Sequence, residues 1–182
     1  FATNTASKLT EIRFPNAVNC SASLFAYLQA VTKVYAPRMY DLSNCRSTFN
    51  GCSSLVNINL PAAANIGTAD GSYTFNNCPN LWTLLFGNAT TFGNYSMGLA
   101  YSGNDIRAMV ITRQDGIPTI SGSNFVNAVN ATSIIVYVPS ALLTQYQSAT
   151  NWTTIHQAKT DGQGNYNGIQ AIEPNINDLR EL

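Results

Sequence analysis

Apolar residues recur along the chain in a short repeated phrase. In each copy an apolar residue is followed three residues later by a second and five residues later by a third, and a proline closes the clearest copies. Successive copies begin about 22 to 26 residues apart, a period typical of stacked repeats. The six copies are Leu9–Pro15, Val31–Pro37 and Leu55–Pro61, followed by the weaker Leu81/Leu84/Phe86, Ile106/Met109/Ile111 and Ala131/Ile134/Val136.

The spacing within each copy predicts a β-strand. The second and third apolar positions lie two residues apart, so their side chains point to the same side of an extended strand. One such strand cannot bury its apolar side alone, whereas strands stacked in parallel share a continuous core. The pattern therefore predicts a repeat solenoid with a parallel β-sheet of about six strands on one face. Proline ends several of these strands because it lacks the N–H group that a ladder needs.

A second motif stands just before each strand phrase. It places a phenylalanine, a small or apolar residue and the first strand residue at intervals of three. That interval predicts a short helical or 3₁₀ turn on the opposite face of the solenoid, with the phenylalanines stacked along it. The copies are Phe25-x-x-Leu28, Phe49-x-x-Cys52 and Phe75-x-x-Cys78, and more weakly Ala100-x-x-Gly103 and Phe125-x-x-Ala128.

The segment after the sixth copy predicts a helical C-terminal cap. Ser140 can act as an N-cap, Tyr146 lies on the apolar face of the helix that follows, and Trp152 would close the last coil. The predicted organisation is a polar N-terminal segment 1–8, a six-coil solenoid 9–139, a cap 140–156, and a Gly-rich loop and tail 157–182.

Residues 49–61, FNGCSSLVNINLP, carry both motifs in full, and residues 75–81 carry the turn motif. This combination resembles the repeat of BspA-like leucine-rich-repeat proteins, in which an F-x-x-C-x-x-L turn precedes an L-x-x-I-x-[LIV]-P strand. The resemblance covers about residues 9–155, although Gly87 and Thr112 replace the proline and Gly103 and Ala128 replace the cysteine. It implies a right-handed leucine-rich-repeat solenoid that serves as a non-enzymatic interaction module, typically on bacterial surfaces.

Charged residues are sparse. The 182 residues include nine Lys or Arg and nine Asp or Glu, so the formal net charge is zero. Binding to nucleic acid or to an anionic membrane surface is disfavoured because both need clustered basic side chains. No stretch reaches the roughly 20 apolar residues of a membrane span, so no membrane insertion is expected. The chain begins at Phe1 without a signal segment, which favours a trimmed fragment of a longer protein.

No catalytic, cofactor-binding or metal-binding arrangement is indicated. His156 has no acidic neighbour in sequence, so a solvated or capping role is favoured over catalysis. Cys52 and Cys78 hold equivalent places in successive repeats, which favours small buried thiols. A bridge between Cys20 and Cys45 stays open as an alternative. Metal binding is disfavoured because the sequence has no C-x-x-C pair.

The strand phrases also predict which side chains point away from the core, since side chains alternate along a strand. From the first copy to the last, the outward residues change from charged to amide-bearing to apolar. The predicted outward pairs are Glu11/Arg13, Lys33/Tyr35, Asn57/Asn59, Thr83/Leu85, Ala108/Val110 and Ser133/Ile135.

Two candidate contact surfaces follow from these outward pairs. The first is an apolar strip of Leu85, Val110 and Ile135, extended by Tyr137, which would be unusual on a monomer if uncovered. Three alternatives stay open for the strip: the segment after Gly168 covers it, a subunit or partner covers it, or the register is wrong. The second candidate comprises Tyr35, Asn57 and Asn59, whose aromatic and amide groups suit a carbohydrate or peptide, although a plain solvated face is the alternative.

The expected function is therefore that of a protein-interaction or adhesion module without enzymatic activity. It would belong to a secreted or surface-exposed bacterial protein, bind a protein or glycan through the sheet face, and need no cofactor. The alternative is a structural or host-recognition component of a bacteriophage virion, such as a tail or fibre, in which neighbouring subunits are the partners.

Overall fold

Two parallel β-sheets form the body of the protein. The computed structural model describes residues 8–67, 74–94, 96, 108–121, 125–126, 134–165 and 167–172. The strands are β1 (Glu11–Arg13), β2 (Lys33–Tyr35), β3 (Asp41–Leu42), β4 (Asn57–Leu60), β5 (Asn65–Ile66), β6 (Thr83–Phe86), β7 (Thr91–Phe92), β8 (Ala108–Ile111), β9 (Thr119–Ile120), β10 (Ile135–Val138) and β11 (Ile169–Ala171). Between β10 and β11 lie a 3₁₀ turn (Ser140–Leu142) and the helices α1 (Leu143–Ser148) and α2 (Trp152–Gln157).

The larger sheet, sheet A, confirms the predicted solenoid face. It joins its strands in the order β1-β2-β4-β6-β8-β10-β11, and neighbouring strands pair in parallel. Six of the seven strands are the six predicted copies, and β11 adds one more. The strand centres align in one buried row, which consists of Ile12, Val34, Ile58, Leu84, Met109, Val136 and Ile169.

The register of the sixth copy differs from the prediction by two residues. The sequence phrase places Ile134 opposite Met109, whereas Val136 occupies that place in the structure. A shift by an even number keeps every side chain on its own face of the sheet. The longer connection before β10 therefore changes which residues are neighbours without exposing the core. Ile106, Ala131 and Ser133 belong to the predicted copies but lie outside the described residues.

A second sheet, sheet B, was missed by the sequence interpretation. It joins β3, β5, β7 and β9 in parallel, and a bridge between Asn19 and Asp41 extends the pairing to the first coil. Leu42, Ile66 and Phe92 point inward from it and are fully buried. Four successive coils thus contribute one strand to each sheet, which gives the solenoid two β faces rather than one.

In the first three coils the third side is a turn. Bonds between residues three apart, such as Cys52 N–H to Phe49 C=O (3.3 Å), give these turns the predicted 3₁₀ character. The equivalent residues Tyr27, Gly51 and Asn77 have φ of 61°, 75° and 54°, however, so no continuous helix forms. At Gly51 an added Cβ would lie 2.5 Å from the Tyr27 ring, so a larger residue there would require that exposed ring to shift. The turn copies at Ala100, Gly103 and Ala128 lie outside the described residues.

Stacked aromatic rings fill the core beneath the turns, as predicted. The rings of Phe25, Phe49 and Phe75 follow one another with centroid distances of 5.4 Å and 5.6 Å, and all three are buried. Phe125 continues the aromatic core and stacks on Phe92 at 4.7 Å. The rings bury a large apolar area along the whole solenoid.

The four cysteines divide into two kinds. Cys52 and Cys78 are buried thiols, which confirms the favoured interpretation. The Cys52 thiol donates to the Phe25 carbonyl of the preceding coil at 3.0 Å, and the Cys78 thiol donates to the Phe49 carbonyl at 2.9 Å. Burial raises the pKa of Cys52 to about 11 and that of Cys78 to about 12, so both thiols stay protonated at neutral pH. Cys20 and Cys45 form a disulfide between the first two coils, with their Cα atoms 5.6 Å apart.

The C-terminal cap is present but differs in detail from the prediction. Pro139 rather than Ser140 stands at the N-cap position of the 3₁₀ turn, and it makes no side-chain capping bond. Asn151, with φ of 67°, separates α1 from α2, so the cap is two short helices rather than one. Tyr146 and Trp152 are buried with their ring centroids 5.0 Å apart.

The segment after Gly168 extends sheet A instead of covering its outer face. Ile169 lies opposite Val136 in β11 and belongs to the buried core. The Ile172 N–H donates to the Val138 carbonyl at 2.8 Å. The described part of this segment therefore does not provide the cover that one alternative assigned to it, and Ile176 lies outside the described residues.

Candidate functional site

All seven predicted contact residues lie on the outer face of sheet A, where the strand register arranges them in two rows. In the second row Tyr35, Asn59, Leu85, Val110 and Tyr137 are consecutive neighbours. Asn57 and Ile135 lie in the first row. The first row consists of Glu11, Lys33, Asn57, Thr83, Ala108 and Ile135, and the second of Arg13, Tyr35, Asn59, Leu85, Val110, Tyr137 and Gln170.

The two predicted surfaces differ in accessibility. Val110 is only 1% exposed, and its register partners on the two paired strands are Leu85 and Tyr137. Leu85, Ile135 and Tyr137 are half-buried. Asn57 is 6% exposed, although it was predicted to point into solvent. The apolar strip is therefore not an open hydrophobic patch, and neither Val110 nor Asn57 offers a side chain to a ligand.

The accessible part of the second row lies at its N-terminal end. We call Arg13, Tyr35 and Asn59 the polar patch: Tyr35 is 37% exposed, Arg13 is exposed and Asn59 is half-buried. Short strands position these groups on adjacent coils, with Arg13 opposite Tyr35 and Tyr35 opposite Asn59. Adjacent strands are about 4.8 Å apart. The patch thus presents a guanidinium, a phenol ring and an amide in a line.

Electrostatic contacts orient the charged end of this patch. Arg13 Nη2 lies 2.7 Å from Glu11 Oε1, and the Arg13 guanidinium carbon lies 5.8 Å from the centre of the Tyr35 ring. Both side chains of the ion pair are exposed, so the pair contributes well under about 1 kcal/mol to stability. Its effect is to hold the guanidinium near the ring face, where a cation is attracted to the π system.

The titratable residues near the cap have structural roles. His156 Nδ1 accepts a hydrogen bond from the Ile169 N–H at 3.3 Å, and burial lowers the pKa of this imidazole. Lys159 donates to the Ile134 carbonyl, and burial lowers the pKa of the lysine to about 8. Among the described residues no group of three or more His, Cys, Asp or Glu side chains is placed to hold a metal ion.

Sequence reasoning missed two features at the ends of sheet A. One is β11, which places Gln170 at the end of the second row. Its signal was the alternation of Ile169 and Ala171 after Gly168. The other is an apolar depression of about 280 Å³ at the first coil, lined by Leu9, Ile12, Phe14, Phe25 and Leu28 together with the stems of Glu11 and Arg13.

Comparisons with known proteins leave the family of this chain open. No model of a protein family matches it, and no curated protein matches its sequence significantly. In the described part of the chain, no helix combines the length and the apolar character that crossing a bilayer requires. What the molecule itself offers is a β-solenoid whose accessible outer face carries the polar patch.

Proposed function

We propose that this protein is a non-enzymatic binding module that holds a protein or glycan ligand against the polar patch of sheet A. The observation that carries the proposal is the exposed Tyr35 ring between Arg13 and Asn59 in the second row. Aromatic rings and guanidinium groups are the side chains that dominate binding energy in recognition surfaces. An amide beside them supplies the directional hydrogen bonds that fix the orientation of a ligand.

Rigidity supports a recognition role for this patch. Its three residues lie on β1, β2 and β4, and each of these strands is hydrogen-bonded to a neighbouring strand of sheet A. The core beneath them contains stacked aromatic rings. A side chain presented from a fixed strand loses little conformational freedom when a ligand binds. The arrangement of the three residues in one row across neighbouring strands fits a linear ligand, such as an oligosaccharide or an extended peptide, better than a compact small molecule.

The proposed setting is extracellular. The Cys20–Cys45 disulfide supports an oxidising compartment, since such bonds persist in secreted and surface proteins. The resemblance to BspA-like repeats points in the same direction, to adhesion on a bacterial surface. A leucine-rich-repeat assignment remains part of this proposal.

A paired screen tests the proposed function. The full chain would be applied to an array of defined oligosaccharides and to an array of extended peptides, and dissociation constants would be measured for any ligand found. Tyr35→Ala is expected to weaken binding by roughly tenfold or more, because truncation of a central aromatic anchor typically costs above 1 kcal/mol.

Tyr40→Ala is the matched control. Tyr40 is a more exposed tyrosine that directly precedes β3 of sheet B, and its loss is expected to leave the affinity unchanged. Equal losses in the two variants would place the binding site elsewhere. Retention of full affinity by Tyr35→Ala would rule out the polar patch as the ligand site.

A further inference from the structure

The first strand of sheet A is an open edge in the described part of the chain. β1 stands at the end of the strand order, with β2 on its other side. The Phe14 N–H donates to the Tyr35 carbonyl at 3.0 Å, so the backbone groups of Phe14 and, two residues earlier, Ile12 face β2. Backbone groups of successive residues point to opposite edges of a strand. The N–H and C=O groups of Glu11 and Arg13 therefore face away from the sheet.

The sequence of this edge is complementary to itself. If two β1 strands meet antiparallel about a two-fold axis at Ile12, Glu11 lies opposite the partner subunit's Arg13, and Arg13 lies opposite the partner subunit's Glu11. Glu11 and Arg13 are also the residues whose backbone groups are available. Directly opposite residues in such a pair exchange both N–H···O=C bonds, which gives about four backbone hydrogen bonds across the axis. Opposite charges on facing residues stabilise the same register.

The faces of the two sheets also match in this arrangement. Glu11 and Arg13 share the outer face and Ile12 points inward, so a two-fold axis perpendicular to the sheet joins outer face to outer face and core to core. The apolar depression of about 280 Å³ lies at this same end of the solenoid. Its Leu9, which is 42% exposed, would lie against the partner subunit's Pro15 and lose contact with water.

We propose that two copies of this chain associate through antiparallel pairing of β1 with β1, forming one continuous sheet. The occupant of the edge is a second copy because the charge pattern Glu-Ile-Arg complements itself only in this two-fold arrangement. This inference goes beyond the proposed binding function and rests on the backbone edge of β1, although Arg13 belongs to both surfaces. Two polar patches would then lie side by side near the axis, which doubles the valency toward a repetitive ligand.

Solution mass, measured by light scattering over a range of concentrations, tests the pairing. The wild-type chain is expected to be a dimer. Arg13→Glu places glutamates opposite each other at two symmetric positions and is expected to raise the dimer dissociation constant by roughly tenfold. The double variant Glu11→Arg with Arg13→Glu exchanges the two charges and is expected to restore the dimer.

Arg38→Glu is the matched control, because it makes the same charge change on an exposed side chain outside β1. Hydrogen exchange of the wild-type chain gives a second measurement that needs no variant: the Glu11 and Arg13 amides are expected to exchange more slowly as concentration rises. A wild-type monomer, a dimer insensitive to Arg13→Glu, or failure of the charge exchange to restore association would each overturn the proposal.

Discussion

The two ends of the solenoid finish their sheets in different ways. At the C-terminal end, side chains of the cap bond to the last strand of sheet B: the Trp152 indole N–H donates to the Pro118 carbonyl at 2.9 Å, and the Asn151 amide donates to the Ile120 carbonyl at 3.3 Å. At the N-terminal end, the outer edge of β1 has no such cover within the described residues.

The last strand of sheet A is covered in a similar way. The His156 ring accepts from the Ile169 N–H at 3.3 Å, and the Gln147 amide donates to the Ile169 carbonyl at 3.3 Å. Side chains thus replace the backbone groups that another coil would supply. A solenoid stops growing where its edge bonds are satisfied, and it remains able to pair where they are not. In the described part of the chain the C-terminal edge is satisfied in this sense, whereas the outer edge of β1 is left for the proposed pairing.

Stability is also supplied differently at the two ends. The cap relies on buried rings, with Trp152 perpendicular to Tyr146, Phe92 and Phe125 at centroid distances of 5.0 Å to 6.2 Å. The first coil instead has a covalent link to the second through Cys20 and Cys45. We call the capped C-terminal end the closed end. Ring packing stabilises the closed end and a disulfide stabilises the N-terminal end, so a core substitution and removal of the disulfide should destabilise different ends.

Removal of the Trp152 side chain should have the largest effect. Trp152→Ala is expected to lower the free energy of unfolding by about 3–5 kcal/mol, since it leaves a cavity and an unpaired Pro118 carbonyl. Urea unfolding followed by circular dichroism measures this loss. Trp82→Ala is the control, because the Trp82 side chain is 48% exposed and its removal should cost far less. Similar losses in both variants would contradict the closing role of Trp152.

Removal of the disulfide should have the next largest effect, and it should act at the opposite end. Cys20→Ser with Cys45→Ser is expected to cost about 2–4 kcal/mol, because the link restricts the unfolded chain across 25 residues. Hydrogen exchange should become faster in β1 and β2 and stay unchanged in the cap. A reducing agent should lower the urea midpoint of the wild-type chain and leave that of the variant unchanged. An equal decrease in both proteins would show that the disulfide does not account for the stability that is lost.

Acidification should have the smallest effect, again at the closed end. The pKa of His156 is lowered in the folded state, so the unfolded chain binds more protons as the pH falls below the ordinary value of 6.5. The stability that this residue contributes is present above that value and is lost as the pH falls through the folded pKa, when Nδ1 can no longer accept from Ile169. Urea midpoints measured from pH 8 to pH 5 should therefore fall further in the wild-type chain than in His156→Gln. If the urea midpoints of the two proteins fall equally with pH, His156 does not contribute to the pH dependence of stability.

Much of sheet A could be predicted from the sequence, whereas sheet B could not. The apolar trios are long enough to show alternation, and they place β1, β2, β4, β6 and β8 in the correct register. The strands of sheet B have only two residues each, too few for a period of two to be visible. In β3 and β5 their signal is an apolar residue that follows the end of the strand phrase by five positions, as in Pro37 to Leu42 and Pro61 to Ile66, whereas in β9 the offset is different.

The candidate site was predictable in direction but not in exposure. Alternation along a strand determines that Tyr35, Asn57 and Val110 share the outer face, and the register confirms this arrangement. Alternation does not determine exposure: Val110 is 1% exposed and Asn57 6% exposed, whereas Tyr35 on the same face is 37% exposed. The neighbours in the sheet also differ from the prediction at the sixth copy: Tyr137 lies opposite Val110, whereas the sequence phrase predicted Ile135 at that place.

The side-chain hydrogen bonds between coils have a common direction. The Thr48, Cys52, Thr74 and Cys78 side chains each donate to a backbone carbonyl of the coil that precedes them, and Thr90 and Thr112 do the same on the other sides of the solenoid. In these six bonds the acceptor is synthesised before its donor. A coil leaving the ribosome brings the groups that fasten it to the coil already made, so the solenoid can assemble in the order of translation, and only the cap must wait for the end of the array.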